Sequence, residues 1–127
     1  MVVHGSDGSD EITNTGITYV LEVFPDRIDE YTISPEQFGL PRYTLEDLQG
    51  GSPAENAQIS IEIFNGQKGA HRDIVVLNAA ATLYVGQRAP SLADAVVLAQ
   101  ETLDSGKALA KLEEIRAFTN LDDIRNL

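Results

Sequence analysis

Asp7, Asp10 and Glu11 lie within five residues of one another in the polar stretch His4-Gly5-Ser6-Asp7-Gly8-Ser9-Asp10-Glu11, which follows the apolar pair Val2-Val3. Carboxylates this close repel one another unless a cation sits between them. Hard oxygen donors of this kind suit Mg²⁺, which takes one or two carboxylates and completes its shell with waters and substrate phosphate oxygens. Gly5 and Gly8 let the backbone come close to a bound group. A solvated acidic turn would carry the same residues, so the cluster by itself leaves two readings open, a metal site or a charged loop. His4 is divided in the same way, between a hydrogen-bonded structural residue and a participant in chemistry.

The elements that must position this loop read as strands first and helices afterwards. Val2-Val3 is a short strand end, and the octet after it is a loop. Residues 17–24 and 27–33 are rich in β-branched and aromatic residues, and Pro25-Asp26 between them is turn chemistry, so the pair predicts a hairpin. Ser34-Pro35-Glu36-Gln37 opens a single helical turn stopped by Gly39, and Thr44 opens a short helix that ends at Gly50-Gly51. Ser52-Pro53-Ala54-Glu55 is a capping box whose helix should run to Phe64, with Asn65-Gly66 as its stop. Residues 71–85 are almost uniformly apolar after Asp73, which predicts a helix buried on almost every side. Ser91 caps the next helix, whose Leu92, Ala95, Val96, Ala99 and Leu103 share one face; Gly106 ends it, and a last helix runs from Lys107 to about Phe118.

Three short strands are too few to cover these helices. The chain is therefore expected to be an α/β domain lacking its front half, with Val2-Val3 an orphan strand and apolar surface left open. Self-association, or a partner segment filling the gap, should follow.

Composition narrows the partners. The 127 residues suit one domain. With no cysteine, disulfides, thiolate metal sites and a cysteine nucleophile are excluded. The charge is uneven: residues 1–63 hold twelve acids against Arg27 and Arg42, a net −10, whereas residues 64–127 hold eight acids against seven bases, a net −1. A basic stripe for nucleic acid or for an anionic membrane is absent. Without a long apolar run or a basic leader, a cytoplasmic address is the expectation.

Residues 2–13, Val-Val-His-Gly-Ser-Asp-Gly-Ser-Asp-Glu-Ile-Thr, closely resemble the Val-x-His-Gly-x-Asp-Gly-Leu-Asp-Glu-Ile-Ser/Thr signature of the anthranilate phosphoribosyltransferases. Residues 30–40, 50–57, 72–84 and 104–108 continue the similarity in family order, so it covers nearly the whole chain. Ser9 departs from the family's usual Leu. The resemblance implies the C-terminal portion of an α/β domain of the nucleoside phosphorylase/phosphoribosyltransferase type, here residues 1–127, in an enzyme that also has a helical N-terminal domain and forms homodimers. It implies transfer of phosphoribosyl from phosphoribosyl pyrophosphate to anthranilate in tryptophan biosynthesis. Asp10 and Glu11 would be the carboxylates holding Mg²⁺ against the pyrophosphate. No residue is assigned as nucleophile, because the attacking group is the amine of anthranilate.

The family's Gly-Thr-Gly-Gly-Asp phosphate loop and its anthranilate-binding Arg have no counterpart in these residues. Gly50-Gly51 before the Ser52 cap has the form of an anion nest, but the cap and Glu55 take its donors. The chain is thus expected to be inactive alone. The competing expectation is a non-catalytic binding or association module that keeps the transferase scaffold.

Overall fold

The structure, a computed structural model, describes residues 1–119. Three strands, β1 (Val2–Gly5), β2 (Thr18–Val23) and β3 (Ile28–Ile33), form one sheet in the order β1-β2-β3, antiparallel throughout. The hairpin stands as the sequence predicts, with Phe24 N–H donating to the Arg27 carbonyl across the Pro25-Asp26 turn. Val2-Val3 is not an orphan. It extends through Gly5 and pairs with β2, Val3 lying opposite Val20 and His4 opposite Tyr19. The intervening loop of twelve residues carries the chain back to the strand's own neighbour, a long-range return that local patterning does not reveal. The second edge of β1 pairs with nothing among the described residues.

Two 3-10 turns follow: Pro35–Phe38, the single turn between Ser34 and Gly39 that the caps predict, and Glu46–Leu48, shorter than the helix expected from Thr44 to Gly50-Gly51. Then come four helices, α1 (Pro53–Phe64), α2 (Ala70–Val85), α3 (Leu92–Asp104) and α4 (Lys107–Phe118). At the start of α1 the capping box is complete: the Glu55 carboxylate accepts the Ser52 N–H at 2.7 Å, and Ser52 Oγ accepts the Glu55 N–H. Gly106, at φ 75°, takes the left-handed turn that separates α3 from α4.

The core lies where one face of the sheet meets α2 and α3. Ile12, Val20, Val76, Leu77, Ala80, Ala95, Val96 and Ala99 are buried there. Alanines at the α2–α3 contact bring the two helices close. Contrary to expectation, α2 is not buried all round: Val75 and Val85 are exposed, and Ala79, Ala81, Leu83 and Tyr84 are only partly covered. A helix is covered only where another element lies, and α2 has the sheet on one side and α3 on another. The start of α2 is tied down by charge. Arg72, 3% exposed, donates to Asp104 at 2.9 Å and lies 3.6 Å from Asp73, whose other oxygen accepts the Tyr43 hydroxyl at 2.9 Å. No helix among the described residues is long and apolar enough to cross a membrane.

Candidate metal centre

The loop between β1 and β2 folds around Asp7. Its Oδ2 accepts the hydroxyls of Thr13 at 2.6 Å and Thr15 at 2.8 Å, and its Oδ1 accepts the Ser9 N–H at 3.1 Å. Partial burial pushes this carboxyl up, but the bonds from Thr13, Ser9 and Thr15 outweigh it and hold Asp7 well below the usual carboxylate range. Gly5 is required by the same packing, since a Cβ there would meet Asp7 Oδ1 and Ser9 Oγ at 2.5 Å each. Ser9, where the family has Leu, thus faces the turn and hydrogen-bonds through its Oγ to the Glu11 carbonyl.

The far side of the loop is locked to the helices. Asn78 of α2 pairs with both backbone groups of Ile12, Asn14 donates to the Ala70 carbonyl at 2.9 Å, and Thr13 N–H donates to Thr18 Oγ1 at 3.0 Å. Between the two anchors, Asp7 and Ile12, stand Asp10 and Glu11. Both are exposed, and neither carboxylate forms a hydrogen bond or ion pair among the described residues. Glu11 borders a groove of about 440 Å³ lined by Met1, Val3, Asn78, Ala81, Thr82 and Val85.

The three clustered carboxylates therefore divide. Asp7 holds the loop together, whereas Asp10 and Glu11 remain available to an external cation. No group of three or more His, Asp or Glu side chains among the described residues is arranged to hold a metal by itself. A two-carboxylate donor set fits Mg²⁺, which takes its remaining ligands from water and phosphate, and not a cation that needs a full protein cage. His4 takes no part in the cluster; its ring stacks on Tyr19 with centroids 6.4 Å apart. At Gly50-Gly51 the Gly51 N–H donates to Asn56 Oδ1 at 2.8 Å, so the nest donors are engaged, as the cap pattern suggests.

Two contributors escaped the sequence reading. Asn78 was visible only as a polar residue within an apolar helical run. Glu22 carried no signal: its carboxylate accepts the Tyr31 hydroxyl at 2.8 Å and the Tyr84 hydroxyl at 2.7 Å, joining β2, β3 and α2.

The chain belongs to the glycosyl transferase family, a/b domain, whose sequence model matches residues 1–109. Among its relatives, the anthranilate phosphoribosyltransferase of Acetivibrio thermocellus is 53% identical over 120 residues, covering 94% of this chain and 35% of that protein. The anthranilate phosphoribosyltransferase of Methanosarcina barkeri is 50% identical, covering 94% and 32%. The crystal structure of the Thermus thermophilus anthranilate phosphoribosyltransferase superposes with a TM-score of 0.83 at 42% identity, over 91% of this chain and 34% of that one. The Saccharomyces cerevisiae enzyme in complex with PRPP and Mg gives 0.77 at 28% identity, over 87% and 32%. The resemblance and the fold class read from the sequence are thus borne out. The chain spans about a third of the length of the relatives it matches.

Proposed function

We propose that this chain forms the carboxylate-bearing part of an anthranilate phosphoribosyltransferase, acting on phosphoribosyl pyrophosphate and anthranilate in the cytoplasm. Residues 1–127 correspond in this reading to the C-terminal portion of the α/β domain, and the assembled enzyme is a homodimer. The observation that carries the reading is the division of the acidic cluster: Asp7 is saturated by hydroxyl and amide donors, while Asp10 and Glu11, three and four residues on, are exposed with no partner among the described residues. The alternative of a non-catalytic association module leaves that unpaired pair without a use.

Asp10 and Glu11 are the residues that would hold Mg²⁺. When bound, the ion supplies neutralisation of the charge that grows on pyrophosphate as it leaves the ribose. The chain's own part is positional. Asn78 fixes Ile12, and Asp7 fixes the turn, so the two carboxylates project from a backbone anchored on both sides and need little reorganisation on meeting a polyphosphate. Substrate binding itself needs phosphate donors these residues do not provide, so the chain alone is proposed to be inactive.

The test is a hybrid in which this chain replaces the matched 120 residues of the Acetivibrio thermocellus protein. Mg²⁺-dependent release of pyrophosphate from phosphoribosyl pyrophosphate in the presence of anthranilate is expected. A folded hybrid without that activity rejects the proposal.

A further inference from the structure

On β2, Thr18 and Val20 face the helices and are buried, and Glu22, the next residue on that face, is half-buried where the core ends. Its Oε2 accepts the Tyr31 hydroxyl and its Oε1 the Tyr84 hydroxyl, which uses two of the carboxylate's roughly four lone-pair sites. Glu22 also borders a cavity of about 660 Å³ between the end of β2 and the end of α2, with Phe24, Tyr84 and Val85 as apolar lining. Arg88 lines the same cavity, and its exposed guanidinium forms no ion pair with Glu22 or with any other acid among the described residues. A fixed anion and a fixed cation thus share one cavity without meeting. The turn that closes α2 adds a second sign of use. Gln87 N–H donates to the Tyr84 carbonyl at 2.9 Å and Arg88 N–H to the Leu83 carbonyl at 2.8 Å, which sets Gln87 at φ 55°, the only positive φ outside glycine among the described residues. Glycine would take this turn without strain; glutamine there places a side-chain amide on the cavity wall.

We propose that this cavity binds a small zwitterion, an α-amino acid with an apolar side chain. Its ammonium lies against Glu22, its carboxylate against Arg88 and the Gln87 amide, and its side chain against Phe24, Tyr84 and Val85. Charge complementarity selects this class. A simple cation would meet Arg88, a simple anion would meet Glu22, and an uncharged apolar molecule would desolvate both without pairing either. A molecule carrying both signs pairs both, and an apolar side chain takes the remaining walls, the usual composition of a small-molecule site: mostly apolar, with a few convergent polar groups. The cavity shares no residue with the Asp10–Glu11 pair, so failure of either reading leaves the other standing.

The test is calorimetric titration of the chain with three probes: L-leucine, isocaproate, which lacks the amine, and isopentylamine, which lacks the carboxylate. Leucine is expected to bind in the millimolar range and each analogue at least about tenfold more weakly, since each loses one charge-assisted contact. Arg88→Gln is expected to weaken leucine by a similar factor and to leave the melting temperature unchanged, because its side chain is exposed and unpaired. Glu22→Gln should weaken leucine as well; if that variant does not fold, Arg88→Gln and the two analogues still decide. Absence of leucine binding at millimolar concentration overturns the proposal. Isopentylamine binding as tightly as leucine would make this a site for cations only, and isocaproate binding as tightly a site for anions only; either overturns it. So does leucine binding that Arg88→Gln leaves unchanged, since the ligand then sits elsewhere.

Discussion

Asn78, midway along α2, holds Ile12 from both sides: its Oδ1 accepts the Ile12 N–H and its Nδ2 donates to the Ile12 carbonyl, each at 2.9 Å. The amide thereby mimics a strand partner for the residue that follows the acidic stretch. Replacement by leucine would leave both backbone groups of Ile12 unpaired, at about 1–3 kcal/mol for each. Asn78→Leu is expected to lower the urea midpoint of the chain with little change in slope. Asn78→Asp, which keeps the acceptor and loses the donor, should fall between. A leucine variant as stable as the parent would show that the loop does not depend on this contact.

Asp7 predicts an acid response with a definite sign. Its carboxyl lies below the ordinary value of 3.8 in the folded chain, so its contribution is complete above that value and is lost as pH falls further. Asp7→Asn should therefore be less stable than the parent at neutral pH, and the difference should shrink as both are acidified below about pH 4. Parallel melting curves across that range would count against the hydroxyl cage.

Tyr31 and Tyr84 respond at the opposite end. Burial, the bond to Glu22 and the Glu22 charge push Tyr31 up; the bond to Glu22 and burial push Tyr84 up. Raised folded values mean that this stabilisation is present below about pH 10 and is lost as pH rises through them. Tyr43, which burial and its bond to Asp73 also push up, joins them, so ultraviolet titration of the folded chain should show three of its four tyrosines ionising late: Tyr43 together with the Glu22 partners Tyr31 and Tyr84. Replacing Glu22 by glutamine should bring both back toward the ordinary range.

Arg72 joins the start of α2 to the end of α3 through Asp104 and lies against buried Asp73. Arg72→Met removes the cation while leaving Asp73 6% exposed with only the Tyr43 hydroxyl as partner. A loss of about 3 kcal/mol is expected from chemical denaturation. Asp73→Asn added to Arg72→Met should recover part of it, since the stranded charge is then gone.

Asp10→Asn with Glu11→Gln tests the proposed metal carboxylates. Removing two adjacent exposed charges relieves repulsion, so the isolated chain should melt no lower than the parent. Its affinity for Mg²⁺ alone should be weak before and after, because two carboxylates make an incomplete shell. In the hybrid enzyme the double variant should need more Mg²⁺ and use phosphoribosyl pyrophosphate less well. Unchanged kinetics would reduce the pair to a solvated turn.

Local chemistry was enough to place most elements. The Ser52 capping box, the Pro25-Asp26 turn, the single-face pattern of Leu92 to Leu103 and the left-handed Gly106 each act within a few residues, and each boundary falls where those residues put it. The acidic cluster was equally visible, because its spacing is a property of the chain alone. What the chain could not declare was how three similar carboxylates differ. Asp7 became a structural anchor through Thr13 and Thr15, which reach it only after the loop doubles back, and Asp10 and Glu11 stayed open because none of the described residues folds over them. The pairing of β1 with β2 and the bonds from Asn78 to Ile12, 66 residues away, have the same origin. Hydrogen bonds and burial depend on proximity in space, and for those pairs proximity is created only when the sheet closes on α2.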